Sequence, residues 1–338
     1  MDVSVIIPVY NTSKDSLLRC FESLRAMDGV DYEVIVINDG SEEEVAIVCE
    51  EYAGEHDRFH YIAQENKGVS AARNAGIMLA TGKYVMFVDA DDELKPFRIN
   101  HELLKNDWDI VFFNAEMVEG ACSRLLLGIL QEESGRASKK ELLFAACRNQ
   151  MNMVWAKWFL RSFLLECGIC FDEKMVVGED ARFIFSAILK ADHLFYEKEC
   201  IYRYYHSYDN ADNRIVRFPK RNIENALCLY RLRTEGVEEY KDQLQITDSD
   251  VDGLHKAISA QVIKDLFEAE GLLAIANKKN HGMGDQIRAL ITHLEKTHGN
   301  GLSKQTQIKC KLLKHKITPL IKIHARLRKL YLKQKKCK

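Results

Sequence analysis

Tyr84-Val85-Met86-Phe87-Val88 runs directly into Asp89-Ala90-Asp91-Asp92. Five apolar or aromatic residues in succession read as a buried strand, and three carboxylates sit at its C-terminal end. Like charges held this close repel, and taking them out of water is costly unless a cation compensates. A carboxylate pair spaced i, i+2 suits a hard divalent ion that also holds phosphate oxygens. The alternative, on these residues alone, is a solvated acidic turn that caps the next helix.

Upstream, short apolar runs alternate with helical patterns. Strands are expected over Val3–Val9, Tyr32–Asn38, Phe59–Gln64 and Tyr84–Val88, and helices over Ser13–Met27, Glu42–Ala53 and Val69–Ala80. In the first helix Leu17, Leu18, Phe21 and Leu24 form one apolar stripe. Strands alternating with helices need crossover connections, so an α/β fold follows, with a mostly parallel sheet covered on both faces. In such sheets ligands bind at the C-terminal ends of the strands. Tyr10-Asn11, Asn38-Asp39-Gly40-Ser41 and the Asp89 cluster each follow a strand, so all three are predicted to meet on one rim.

After Asp92 the pattern changes. Trp108–Asn114 reads as a strand and Cys200–Tyr205 as a short aromatic one. Lys139–Arg148, Val154–Glu166 and Asp180–Ala191 read as helices, the last opening on acids that suit its dipole. From Pro219 onward the chain is helical by pattern, including Asn222–Arg233 and Asp250–Ala276.

The 338 residues are 47% hydrophobic and 29% charged, an ordinary globular balance with room for a sizeable core. The formal net charge of −2 is unevenly spread. Residues 303–338 hold 13 Lys/Arg and no Asp/Glu, leaving 35 Lys/Arg against 50 Asp/Glu elsewhere. A basic tail on an acidic body points to a partner for the tail. The ten cysteines have no zinc spacing; Cys167-Gly168-Ile169-Cys170 lacks a second pair, so free thiols in a reducing cytoplasm are expected. The N-terminus lacks a basic leader, and no run approaches the ~18 apolar residues of a membrane span.

The motifs become specific when read together. Ser4-Val5-Ile6-Ile7-Pro8-Val9-Tyr10-Asn11 resembles the opening strand of glycosyltransferase family 2, nucleotide-sugar enzymes of the type-A (GT-A) fold. Asn38-Asp39-Gly40-Ser41 resembles the second motif. The stretch from Asn66 to Gly76, with Gly68, Arg73 and Asn74, resembles the third, and Asp89-Ala90-Asp91-Asp92 the metal motif. Farther on, Val154-Trp155-Ala156-Lys157 and Gly178-Glu179-Asp180 resemble acceptor-side motifs. The resemblance covers about residues 3–206. It implies a GT-A domain over 1–218, with a nucleotide-binding half to about residue 95 and an acceptor half from 96 to 218. A helical region over 219–302 and the basic tail over 303–338 would follow.

What the resemblance implies for each residue can be set beside its chemistry. Asp39 would recognise the uracil edge of a UDP-sugar, and a carboxylate can accept the imide N–H; the same four residues are also a strong turn sequence. Pro8 and Tyr10 would pack on the base or serve the core. Arg73 would support the donor diphosphate, with an ion pair to Asp39 or Asp89 as the alternative. Gly68 would allow a close backbone approach.

Asp89 would hold ribose hydroxyls and Asp91 would ligate Mg²⁺ or Mn²⁺, with Asp92 assisting or capping. Asp180 would be the base that takes the acceptor's proton, with Glu179 next in line. The alternative for Asp180 is a first-turn helix acid. Trp155 and Lys157 would line the acceptor side, or Trp155 would be core. His206 would lie near the metal or diphosphate. Here the chain departs from the family pattern: Tyr205 stands where an Arg is common, and Arg203 lies two residues earlier.

In Lys304–Lys338 cations alternate with Leu and Ile in two helical stretches broken at Pro319, a pattern of helices on anionic membrane surfaces. Packing on the acidic body is the competing reading, and nucleic acid is not expected.

The resulting expectation is a metal-dependent inverting glycosyltransferase, cytoplasmic or peripheral at the inner membrane face. It would move a sugar from a UDP-sugar to a glycan or lipid-linked acceptor in polysaccharide biosynthesis. The rivals are a sugar-phosphate nucleotidyltransferase, which would want a Gly-rich basic loop where Tyr10-Asn11-Thr12-Ser13 stands, and a non-catalytic scaffold of the same fold.

Overall fold

The N-terminal apolar run forms β1 (Val3–Val9), buried along its length except at half-buried Pro8, in a computed structural model that describes residues 1–25, 27–97, 101–119, 122–126, 133–205, 217–276, 284–298 and 301–336. β1 pairs in parallel with β2 (Tyr32–Asp39) on one side and β4 (Tyr84–Phe87) on the other. β3 (Phe59–Gln64) extends the sheet beyond β2. Helices α1 (Lys14–Leu24), α2 (Glu43–Glu55) and α3 (Val69–Leu79) make the crossovers. Val3, Val5, Ile7 and Val9 pack with Leu17, Phe21 and Leu24 of α1 and with Cys49 and Tyr52 of α2.

Ile6 faces the other way, under α3. A Cβ on Gly76 would sit 2.4 Å from Ile6 Cγ2, so the helix approaches the strand at a distance only glycine allows. Strand alternation thus divides the core between the two faces, as a doubly covered sheet requires.

The sheet continues as β3-β2-β1-β4-β9-β6-β10-β5, with β5 (Glu93–Leu94), β6 (Ile110–Glu119), β9 (Lys157–Leu160) and β10 (Leu194–Tyr205). Two short strands, β7 (Cys122–Leu126) and β8 (Gly135–Arg136), add to β6 and β10. β9 is antiparallel to both β4 and β6, whereas β10 runs parallel to β6. The next helices in chain order are α4 (His101–Lys105), α5 (Lys139–Cys147), α6 (Arg161–Glu166) and α7 (Glu179–Lys190).

One expectation is corrected here. Val154–Glu166 is not a single helix: Lys157-Trp158-Phe159-Leu160 is a strand, and only Arg161–Glu166 is helical. Trp158 and Phe159 are fully buried between two strands. A short apolar run filled on both faces gives no periodicity to separate strand from helix.

The chain divides into two units. The first comprises Met1–Leu143, Met151–Glu173 and Glu179–His206; the second comprises Phe144–Gln150, Lys174–Gly178 and Ser207–Lys338. The second is built from α8 (Pro219–Tyr240), α9 (Asp248–Ile275), α10 (Gly284–His298), α11 (Lys304–Lys314) and α12 (Thr318–Lys336). Its core joins Ile223, Val262, Leu266 and Phe267 to Ile291, Leu294, Cys310, Leu313 and Ile321. Thr247 and Ser303 cap α9 and α11 by accepting backbone N–H bonds from Asp250 and Thr306. The break between α11 and α12 is at Lys316, whose φ is 50°. Pro319 sits in the first turn of α12, where a missing N–H costs nothing. Among the described residues no helix is long and apolar enough to cross a membrane.

Candidate active site

β1, β2 and β4 are parallel, so the turns that follow them open on one rim of the sheet. The first two turns are tied together through Asn11, whose φ is 49°. Its N–H donates to Ser41 Oγ at 3.1 Å, and its Oδ1 accepts from the Glu42 N–H at 2.8 Å. Tyr10 leaves its ring 54% exposed beside half-buried Pro8.

Asp39 is buried, and its carboxylate clamps the loop that enters α3. Oδ1 accepts from Gln64 Nε2 at 2.7 Å and from the Lys67 N–H at 2.9 Å, and Oδ2 accepts from the Gly68 N–H at 2.8 Å. Gly68 has φ 93°, the left-handed region that favours glycine, and a Cβ there would meet no atom within 4 Å. Its backbone conformation alone is a reason for glycine, and a side chain there would meet no protein atom at that distance. Close approach applies at Gly40, where a Cβ would lie 2.8 Å from the Asn66 nitrogen.

Arg73, on the second turn of α3, is 3% exposed. Its Nη2 donates to Asp89 Oδ1 at 2.8 Å and its Nη1 to Asp180 Oδ1 at 2.6 Å, while the guanidinium lies 5.2 Å from the Phe171 ring centroid. Of the two partners expected from sequence, Asp89 is realised and Asp39 is not; Asp180 is the addition. Burial works against the charge on Arg73, but Asp180 and Asp89 outweigh it and hold the guanidinium charged.

Asp180 sits in the first turn of α7. Burial pushes its pKa up to about 7; Arg73 pulls against that, and the neighbouring Glu179 and Asp89 push further up. A carboxylate poised near neutrality beside a fixed cation is suited to general base work.

The acidic turn is fastened from below by β10. Asp92 is fully buried: Oδ2 accepts from Tyr202 Oη at 2.7 Å and Oδ1 from the Tyr205 N–H at 2.8 Å. The same Tyr202 hydroxyl accepts from the Asp89 N–H at 3.1 Å. Burial, then Asp89, raise the Asp92 pKa to about 8. Asp92 thus faces the protein, and support of the turn is the role its geometry allows.

Asp91 differs. Its carbonyl accepts from Arg19 Nη2 at 2.7 Å, while burial and then the charge of Asp89 raise the pKa of its side chain. Arg19 also pairs with Glu93 at 2.9 Å and stacks 4.2 Å from the Tyr205 ring centroid. Sequence reasoning missed Arg19 and Tyr202, which act through the backbone of the acidic turn.

An anion that is both desolvated and repelled by its neighbour fits a cation site. Among the described residues no group of three or more His, Cys, Asp or Glu forms a metal cluster. A Mg²⁺ or Mn²⁺ ion at Asp91 would therefore draw further oxygens from a phosphate ligand and water, as hard ions readily do.

Trp155 is buried. It stacks on Tyr202, with ring planes 3° apart at 4.8 Å, and on Tyr204 at 5.4 Å, so it props the tyrosine that holds the acidic turn. Lys157 is also buried, and its Nζ donates to the carbonyls of Met153 at 2.6 Å and Trp155 at 3.3 Å. Burial lowers its pKa to about 7, against the pull of Asp180. Arg203 is committed to Glu116 at 2.7 Å and Glu93 at 2.9 Å. Glu179 is buried next to Asp180. His206 lies outside the described residues. Cys167 and Cys170 are free thiols.

The sequence model of glycosyl transferase family 2 matches residues 4–161, which span the rim turns and the acidic motif. Residues 4–161 are a glycosyltransferase family 2 domain. The enzyme is similar to the uncharacterized glycosyltransferase YibD of Escherichia coli K12, at 28% identity over 72% of this chain and 73% of YibD. It is also similar to the poly(ribitol-phosphate) beta-glucosyltransferase of Bacillus spizizenii, at 28% identity over 67% of this chain and 36% of the relative. Among solved structures, S. aureus TarS 1–349 in complex with UDP superposes with a TM-score of 0.65 at 19% identity, covering 97% of this chain and 92% of TarS. That likeness establishes the GT-A fold. That domain, with relatives named as glycosyltransferases, makes this chain a glycosyl-transferring enzyme and not a nucleotidyltransferase.

Proposed function

We propose that this enzyme transfers a sugar from a UDP-sugar to a hydroxyl of a glycan or lipid-linked glycan, inverting the anomeric carbon with a divalent cation at Asp91. The observation that carries this reading is the Arg73 bridge, which holds Asp180 in fixed relation to the acidic turn.

Asp180 accepts the proton from the acceptor hydroxyl as that oxygen attacks the anomeric carbon and the bond to the departing UDP breaks. Attack opposite the leaving group inverts configuration. Buried Glu179 keeps Asp180 basic by repulsion. Asp39 uses three of its acceptor positions on the protein, which leaves one for the uracil imide N–H. Tyr10 and Pro8 offer a face to the base, and Asp89 offers its remaining acceptor capacity to the ribose. Mg²⁺ or Mn²⁺ at Asp91 supplies Lewis-acid stabilisation of the leaving diphosphate. Asp92, Trp155 and Lys157 position the turns around this centre.

Two similarities support the finer assignment. The TarS structure was solved with UDP, and the Bacillus spizizenii relative is named for glucosyl transfer to poly(ribitol-phosphate). Polysaccharide biosynthesis from cytoplasmic nucleotide sugars is the setting we assign. Thermal shift with UDP-, GDP- and dTDP-sugars, each with and without Mn²⁺, tests donor and cation together. Stabilisation by a UDP-sugar only with metal is expected. Equal stabilisation by a GDP-sugar, or by a UDP-sugar without metal, overturns the assignment.

A further inference from the structure

The basic C-terminal segment is built into the helical unit. Cys310, Leu313 and Ile321 lie in its core, Lys314 pairs with Glu295 at 2.6 Å, and the α9 backbone at Gly271 comes so close to α12 that a Cβ there would lie 2.9 Å from Ala325 Cβ. One face of α12 is therefore occupied. Another is open. Leu320, Ile323 and Leu327 recur at i, i+3 and i+7 and are 50%, 53% and 61% exposed. Ile317, just before the helix, and Ile308, on α11, are exposed as well.

Beside this stripe, positions 322, 326, 329 and 333 follow one another at i, i+4, i+7 and i+11, and all are Lys or Arg. No Asp or Glu occurs from 303 to 338. An aliphatic stripe open to water is costly unless something covers it. A protein partner would use the stripe without requiring the cations, and a nucleic acid would use the cations without requiring the stripe. A lipid surface of negative charge uses both, because aliphatic side chains enter the acyl boundary while Lys and Arg reach headgroup phosphates.

We propose that the outer face of α12 docks this enzyme on an anionic bilayer, with Leu320, Ile323 and Leu327 inserted and Lys322 and Arg326 against lipid phosphates. The inference concerns a surface of the helical unit and is independent of the donor and cation assignments.

Flotation of the full chain with phosphatidylglycerol-containing vesicles, and with pure phosphatidylcholine vesicles, reads it out. The wild type is expected to float with the anionic vesicles, and high salt is expected to weaken the binding. The triple variant Leu320→Ser, Ile323→Ser, Leu327→Ser is expected to lose about tenfold in bound fraction. These side chains lie at the surface, so its far-ultraviolet circular dichroism and melting should match the wild type. Its transfer to a soluble acceptor should also be unchanged, which separates this test from that of the site. The charge-reversal pair Lys322→Glu, Arg326→Glu is expected to lose binding as well. Equal flotation of wild type and triple variant overturns the proposal. So does a wild type that ignores anionic vesicles while forming a dimer that the triple variant abolishes. Salt-sensitive binding to duplex nucleic acid with no vesicle binding overturns it too.

Discussion

Arg73 joins two carboxylates that lie 16 and 107 residues away in sequence, donating to Asp89 at 2.8 Å from one terminal nitrogen and to Asp180 at 2.6 Å from the other. A guanidinium can do this because its donors form a rigid fork, which an ammonium group lacks. The bridge locks the proposed base to the turn that carries the proposed cation ligand. Replacing Arg73 by Ala leaves two carboxylates facing each other in a desolvated place. Loss of one partner from a buried pair costs about 3–5 kcal/mol. The expected result is a large fall in melting temperature together with loss of transfer. Arg73→Lys should recover part of the stability, since one charge returns, but little of the turnover, since a single ammonium cannot hold both geometries. A lysine variant with wild-type kcat would show that the bridge does not set the base.

The burial of Asp180 gives a pH prediction with a definite sign. Its pKa of about 7 means that it holds a proton below neutrality and is free to take one above. Transfer should therefore rise as pH increases through about 7 and level off beyond. Asp180→Asn should lower kcat by roughly a hundred- to ten-thousand-fold and remove that limb, while stabilisation by donor and metal persists. A pH–rate profile of the wild type, flat through neutrality, would sink the assignment of the base to Asp180.

How much of this was legible in the sequence varied with the kind of signal. β1 to β4 and their helices were readable because short continuous apolar runs alternate with helical periodicity, and because polar or glycine-containing turns separate them. The rim follows from that alternation, which places Asp39, Asp89 and Asp91 on it, whereas Arg73 was named through the resemblance of Asn66–Gly76 to the family's third motif. β9 was not readable, because its short buried run ends at Leu160 and passes straight into α6 at Arg161, with no turn residue to divide strand from helix. Arg19 and Tyr202 were also hidden. Arg19 grips a carbonyl and Tyr202 an amide of the acidic turn, and main-chain partners leave no mark on residue spacing. Pairing of Arg73 with Asp180 was equally invisible, since it depends on α7 returning to the end of α3.

Tyr202 supplies the hydroxyl that Asp92 needs and accepts the Asp89 N–H in turn. Tyr202→Phe keeps the ring, and with it the stack on Trp155, so the change isolates the hydroxyl. One buried carboxylate oxygen and one amide lose their partner, at a cost of about 1–3 kcal/mol. The melting temperature should fall by a corresponding few degrees. Because the turn carries Asp89 and Asp91, the KM for donor should rise as well. A lower melting temperature with unchanged donor KM would show that Arg19 alone keeps the turn in place.

Asp91 offers the sharpest separation of stability from function. Its folded pKa lies above its ordinary value, first through burial and then through Asp89. Burial and Asp89 both disfavour its charged form, so without a cation the folded state carries a penalty that the unfolded chain does not. That penalty is absent well below the ordinary carboxylate pKa and grows as pH rises through the folded value. Asp91→Asn removes the charge while keeping the shape. The metal-free variant should be more stable than the metal-free wild type, by on the order of 1 kcal/mol. Mn²⁺ with a UDP-sugar should stabilise the wild type and fail to stabilise the variant, which should lose transfer by roughly a hundredfold or more. Differential scanning fluorimetry with and without Mn²⁺, beside a transfer assay, checks all three. A variant less stable than wild type without metal would mean that the Asp91 carboxylate is satisfied within the protein. Transfer retained at the wild-type rate would remove Asp91 from the cation site.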